Sequence, residues 1–302
     1  MGERAPIDID VLTRFLISLQ SLSQDLVQHL GAGQKLCHYT GIDGAIGIIG
    51  GGDLWLTNSR YSNDDEELDY GHGLVDSVLE QLLTEPASDS ARLRWLRKLR
   101  DKVQAARGDQ VYVCCFCETD DLLSQWRGYA ENGGGFSIEF DPAGFTAMAG
   151  PDCSQGLMRL WKVFYDPHQQ QEIVRACINY PYWPPVGEDE QIRFVVDALQ
   201  FFMPTFKNAA FREEQERRLI FTPDQRTTTS PSFRRRGGVL VPYFSLRELS
   251  SRPGRDLKLS IKGLLVGPGP RRLLNVESAR LMLAKHGHQD VPVRASTTPY
   301  RG

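Results

Sequence analysis

The stretch DDLLSQWRGYAENGGGFSIEF, Asp120–Phe140, sets a hydroxyl, a carboxamide, an indole, a guanidinium and a phenol on one short segment, at Ser124, Gln125, Trp126, Arg127 and Tyr129. Such groups can grip a polar ligand. The Arg fork matches phosphate or carboxylate, and the others donate or accept hydrogen bonds. A second concentration lies at Glu214-x-Glu216, followed by Arg217 and Arg218. On an extended strand residues i and i+2 share a face, so the two carboxylates would point the same way. One could then stabilise a developing positive charge while the other takes a proton from a nucleophile. With Asp64 and Lys207, the same acids would suit a divalent-metal nuclease instead. Near the start, His38-Tyr39-Thr40 and Trp55/Thr57/Asn58 put polar groups at the ends of two strand-like runs.

Each feature also has a plainer reading. His38 beside Cys37 fits a buried strand histidine with a satisfied hydrogen bond. If Glu214–Arg218 is helical, Glu214 and Arg218 form an i,i+4 surface pair of small value. Asp64–Glu67 fits a helix N-terminus, where the dipole favours acids. Leu122, Trp126 and Tyr129 recur at helical spacing, so Trp126 can simply anchor a helix to a core.

These residues need elements to hold them. Helical spacing of Val11, Phe15, Leu19 and Leu22 predicts a helix over 8–30. KLCHYT, LWLTN, VYVCCFC, FSIEF, LMRLWKVFY, ERRLIF, VLVPYFSL, IKGLLVGP and VPVRAST read as strands. GIDGAIGIIGGG, NDDEELDYGHGLVDSVLEQLL, SDSARLRWLRKLRDKVQAA, Asp121–Glu131 and NVESARLMLAKHG read as helices. Glycines close the first, Asn63 and Asp64 cap the second, and NGGG stops the fourth. Pro204 should interrupt a further helix beginning at GEDEQIRFVV. Residues 222–238 read as a long polar loop. Strands and helices mix without regular alternation, which predicts an α+β fold. We expect a helical extension over 1–34 and a single domain over 35–302, with a central mixed or antiparallel sheet and surrounding helices.

Composition narrows the function. The chain has 302 residues, 41% of them hydrophobic, and a net charge of −3. No global field draws it to nucleic acid or membrane. No apolar run reaches the roughly 18 residues of a membrane span, and the N-terminus carries Asp8 and Asp10 rather than a signal sequence. A soluble, cytoplasmic protein is expected. Six cysteines without a second cluster at ligand spacing argue for reduced core thiols over a metal site. Charge is uneven, however. Residues 225–272 hold eleven Lys and Arg against Glu248 and Asp256, an excess of +9 in a chain of −3. That asymmetry suits either a nucleic-acid-facing side or a loop paired with acidic helices of the same chain.

SQWRGYAENGGGFSIEF resembles the signature of a bacterial family, domain of unknown function 2971. HYT with LWLTNSRYSNDDEE, KNAAFREEQERRLI, LVPY, VGPGP and PVRASTTPYR resemble further motifs of that family, in order. The resemblance covers roughly 35–301. Where the family tends to carry Asn-Asp-Pro-x-Glu, this chain runs Asn63-Asp64-Asp65-Glu66-Glu67, without the Pro. The family name implies no activity.

The order of motifs also resembles, more distantly, the split-sheet ADP-ribosyltransferase superfamily. That likeness implies NAD as substrate, with no metal. It implies that His38 meets a ribose of NAD and that Glu216 or Glu214 stabilises the transition state. Tyr39, Thr40, Thr57, Asn58, Asn63, Ser124, Gln125, Arg127, Tyr129 and Arg218 are then the candidate NAD-binding residues, with Arg127 or Arg218 on the pyrophosphate. The chemistry fits: cleaving the nicotinamide bond passes through an oxocarbenium-like cation that a fixed carboxylate stabilises. The acceptor would be nucleic acid or protein, or water in NAD hydrolysis, and toxin or phage-defence roles suit such chemistry. The rivals are a non-catalytic ligand- or nucleic-acid-binding module and the metal-dependent nuclease.

Overall fold

The computed structural model describes residues 35–61, 66–86, 89–108, 110–148, 155–180, 187–250 and 259–299. The helix expected over 8–30, the extension 1–34, and Asn63 and Asp64 lie outside the described residues. The strands are β1 (Leu36–Thr40), β2 (Trp55–Asn58), β3 (Tyr112–Cys117), β4 (Phe136–Phe140), β5 (Leu157–Lys162), β6 (Glu216–Thr222), β7 (Ser232–Arg236), β8 (Val239–Ser245), β9 (Ile261–Val266) and β10 (Val293–Ala295). The helices are α1 (Ile42–Gly51), α2 (Glu66–Thr84), α3 (Ser90–Ala105), α4 (Leu123–Tyr129), α5 (Pro142–Met148), α6 (Pro167–Asn179), α7 (Glu188–Phe202), α8 (Leu246–Ser250) and α9 (Arg272–Lys285). Described residues within 35–58, 112–162 and 213–299 form one compact unit, and those within 59–111 and 163–212 form another.

The first unit holds one large mixed sheet. Its order is β10-β9-β4-β1-β3-β2-β8-β7, with β6 on β3 and β5 on β6. Among the described strands only β9 and β10 pair in parallel. VYVCCFC is apolar throughout because β3 is central, and such a strand needs apolar groups on both sides. One edge of β3 is paired along its length with β6, from Tyr112↔Phe221 to Cys117↔Glu216. Its other edge is shared. β2 pairs it at Tyr112 and Val113, and β1 pairs it at Cys117. The sheet therefore parts between β1 and β2, opposite Cys114, Cys115 and Phe116.

The two faces of this sheet differ. Leu36, Leu56, Tyr112, Cys114, Phe116, Ile138, Leu219, Phe221 and Phe244 face a core closed by Ile48 and Ile49 of α1, Phe145 of α5, Leu246 of α8 and Ala279 and Leu283 of α9. On the opposite face, Cys37, Tyr39, Cys117 and Leu265 pack with Trp126 and Ala130. Cys115 and Cys117 share that second face and Cys114 takes the first, as strand alternation in the sequence implies.

β7 corrects the reading of 222–238 as a loop. SFRRR pairs with β8 from Ser232↔Tyr243 to Arg236↔Val239. It is an edge strand, and edges favour charged residues that discourage further pairing. Its polarity therefore hid it.

The second unit is helical, built from α2, α3, α6 and α7. Asp89 caps α3 by accepting from Arg92 N. Asp166 caps α6 by accepting from Gln169 N, with Pro167 in the first turn. The sequence reading assigns no helix to 167–179, because Gln169, Gln170 and Gln171 blur the apolar spacing of Ile173, Val174 and Cys177. Gln170 is wholly buried; it accepts from Tyr70 Oη at 2.7 Å and donates to Lys207 O at 2.9 Å. α7 ends at Phe202 and passes into a 3-10 turn at Met203–Thr205, where Pro204 was expected to interrupt it.

Candidate functional site

His38 stands where the sheet parts. Its Nδ1–H donates to Cys115 O at 2.9 Å, so the imidazole takes up a β3 carbonyl that neither neighbouring strand reaches. Its ring meets Phe116 edge-on at 5.9 Å. Burial depresses its pKa; the bond to Cys115 opposes this, and the charge of Arg234 adds to it. The ring is therefore held neutral with the proton on Nδ1, which leaves Nε2 as an acceptor. Cys114 Sγ lies 3.9 Å from Nδ1. The pair is no nucleophilic dyad: Nδ1 carries a proton, and burial pushes the Cys114 thiol up to about 12.

Across the gap lies β2. Thr57 is half-buried and accepts from Arg234 Nη2 at 2.8 Å. Trp55 is 41% exposed, stacks on Tyr243 at 4.3 Å, and has the Arg234 guanidinium carbon 5.4 Å from its ring centre. Register puts Thr57 opposite both Val113 and Tyr243. Directly opposed residues share a face. Thr57, Tyr243, Cys115 and, beyond β3, Arg218 and Glu216 thus lie on one face of the sheet. Asn58 is buried at 2% exposure and belongs to the end of β2.

Glu216 begins β6 and is 5% exposed. Its carboxylate accepts from Arg218 Nε at 2.8 Å and from Nη2 at 2.9 Å, a forked ion pair. The extended Glu214-x-Glu216 expected from the sequence is not what forms. Glu214 ends a 3-10 helix, Ala209–Glu214, and Gln215 has φ 43°. That left-handed residue breaks the alternation, so spacing alone no longer aligns the two carboxylates. Arg217, on the opposite face, donates from Nε to Glu118 at 2.6 Å. His38 and Glu216 lie on the strands flanking β3, their backbones about two interstrand spacings of ~4.8 Å apart and their side chains on opposite faces.

The SQWRGY segment has a different task. Trp126 has no exposed surface, meets Tyr39 edge-on at 4.8 Å, and donates from Nε1 to Asp121 Oδ1 at 2.8 Å. Asp121 also accepts from Ser296 Oγ at 2.5 Å and Thr297 N at 3.0 Å, tying α4 to the chain after β10. Tyr39 donates to Thr119 O and accepts from Leu122 N, both at 2.9 Å, so its hydroxyl is spent inside the fold. Gln125 is buried, and Ser124 Oγ is buried with no hydrogen-bond partner. Arg127 and Tyr129 are exposed, so Tyr129 leaves the stripe that its spacing predicted. Thr40 ends β1, half-buried. The glycines are packed rather than hinged: a Cβ at Gly135 would collide with Thr40 O, and Gly133 adopts φ 84°.

Strand alternation places His38 with Leu36, Cys114 and Phe116 on one face of the sheet, and Thr57, Arg234, Glu216 and Arg218 on the other, while Arg127 and Tyr129 stay on the surface of α4. Sequence reasoning missed Arg234 and Tyr243. The only signal was FRRRGG beside VPYF, which the loop assignment absorbed.

These features define an α+β protein with surrounding helices and a large mixed sheet that parts between β1 and β2. Residues 125–219 match the family model described as Protein of unknown function (DUF2971), from Gln125 on α4 to Leu219 on β6. The match supports that family and leaves the motifs on β1, β2 and the strands after β6 outside it. No curated protein and no solved structure matches the chain. Among the described residues no helix is long and apolar enough to cross a membrane.

Proposed function

We propose that the chain is an NAD-dependent ADP-ribosyltransferase-like enzyme, transferring ADP-ribose to nucleic acid or protein or hydrolysing NAD. The observation that carries this reading is the parting of β1 from β2, with a neutral His38 at the gap and the buried carboxylate of Glu216 two strands away on the opposite face of the sheet. In this reading Nε2 of His38 accepts from a ribose hydroxyl. The C–N bond to nicotinamide breaks and its electron pair leaves with nicotinamide. The ribosyl cation is stabilised by Glu216, whose position Arg218 fixes. A nucleophile of the acceptor then forms the new bond at the same carbon and gives up its proton to solvent water.

The forked Glu216–Arg218 pair also favours a second reading, a nucleotide-binding module without turnover, because Arg218 already offsets the charge a cation would feel. A metal-dependent nuclease has less support. That reading needs Asp64 beside Glu214, Glu216 and Lys207, and Asp64 lies outside the described residues.

The test is nicotinamide release beside NAD affinity by calorimetry. Glu216→Gln should lower turnover on the order of 10²–10³-fold and leave NAD affinity nearly unchanged, since the ground state lacks the ribosyl charge. If Glu214→Gln alone abolishes turnover, the acid is Glu214. NAD binding without nicotinamide release selects the module, and activity lost only in chelator selects the nuclease.

A further inference from the structure

Arg234 is a half-buried cation that makes no ion pair among the described residues. Its Nη2 is held by Thr57, and its Nε–H is buried with no acceptor. A buried guanidinium donor without an acceptor is costly, and the cost is offset when an anion arrives. Burial lowers its pKa, and Arg236 two residues on adds repulsion. Beside it, Trp55 and Tyr243 present a stacked aromatic pair with Trp55 part-exposed. A fixed fork next to a flat aromatic surface is complementary to an anion joined to a planar ring.

We propose that Arg234, Thr57, Trp55 and Tyr243 form a nucleotide subsite, in which the Arg234 guanidinium takes the phosphate and the Trp55–Tyr243 pair stacks the base. The subsite deepens the NAD reading and rests on it for the choice of nucleotide. Its geometry is independent of Glu216. It assigns the phosphate to Arg234, where the sequence pointed to Arg127 or Arg218. Arg127 is exposed on α4, and Arg218 has its Nε and Nη2 on Glu216.

The experiment is calorimetric titration of the full chain with ADP, adenosine and inorganic pyrophosphate, for wild type, Arg234→Gln, Arg234→Lys and Trp55→Ala. Wild type should bind ADP more tightly than adenosine or pyrophosphate. Arg234→Gln should weaken ADP roughly 10- to 100-fold, the worth of a charge-assisted hydrogen bond, and leave adenosine unchanged. Arg234→Lys keeps the charge without the fork and should fall between; it carries the test if Arg234→Gln does not fold. Trp55→Ala should weaken both ADP and adenosine. ADP bound equally by wild type and the Arg234 variants overturns the subsite, as does a wild type that binds neither ADP nor pyrophosphate.

Nicotinamide release in the same samples separates this idea from the enzymatic one. Arg234-dependent ADP binding without NAD turnover keeps the subsite and removes the transferase. Turnover with unchanged KM in Arg234→Gln keeps the transferase and removes the subsite.

Discussion

Arg218 on β6 and Arg234 on β7 are two arginines withdrawn from water within the same sheet-bearing unit, and their surroundings differ. Arg218 is almost wholly buried and carries its counter-charge with it: Glu216, two residues back on the same strand, meets it with both oxygens. Arg234 is half-buried, with a hydroxyl, an aromatic ring and an unsatisfied Nε–H in place of a carboxylate. A saturated ion pair holds both of its groups in fixed positions. An open one loses free energy in the empty protein and regains it when an anion binds. The lesson is that charge density in the sequence does not locate a binding group. What locates it is which buried charge the fold leaves without a partner.

The largest effect that can break this contrast is on stability. Glu216→Gln should cost about 3–5 kcal/mol, because it removes the buried counter-charge of Arg218. Trp126→Ala should cost a similar ~3–5 kcal/mol through the cavity it leaves. Arg234→Gln, by contrast, should shift the unfolding midpoint little or raise it, since it removes a desolvated charge. Thermal unfolding of the three variants side by side checks this. A wild-type midpoint for Glu216→Gln would place that carboxylate in water and erase the difference between the two arginines.

His38→Leu should cost an intermediate ~1–3 kcal/mol, by removing the hydrogen bond to the Cys115 carbonyl at the parting of the sheet. His38 also makes a pH prediction. Its folded pKa lies below the unfolded value of 6.5, so its contribution is complete above 6.5 and is lost as pH falls through that value toward the folded pKa. Wild-type stability should therefore decline below about pH 6.5. The decline should be shallower in His38→Leu, and identical slopes in urea titrations at stepped pH would show that His38 is not held neutral by burial.

The smallest expected effect is at Arg127. Exposed on α4, it should change stability by no more than about 0.5 kcal/mol when replaced by Gln. Calorimetry should also find ADP affinity unchanged. A marked loss of affinity would move the anion site from β7 to α4.

The sequence by itself determined most elements of the sheet, because each strand carries a local signal. Apolar KLCHYT, VYVCCFC, ERRLIF and IKGLLVG became β1, β3, β6 and β9. It also determined that Trp126 anchors a helix, that NGGG ends it, and that Pro204 interrupts another. It marked His38, Thr57, Glu216 and Arg218 as worth attention. Only the tertiary structure decided what each of them does. Whether an arginine is spent depends on its cross-strand neighbours, and pairing between β3 and β6 or β2 and β8 joins residues more than 90 apart in sequence. Gln215 turned Glu214 off the strand through one positive φ that its side chain does not announce. β7 was hidden because an edge strand needs no apolar pattern, and Arg234 was hidden with it. Local periodicity reports which face a residue takes. Only the packing of distant strands reports which partner that face holds, and at Arg234 it supplies Thr57 and Trp55 in place of a carboxylate.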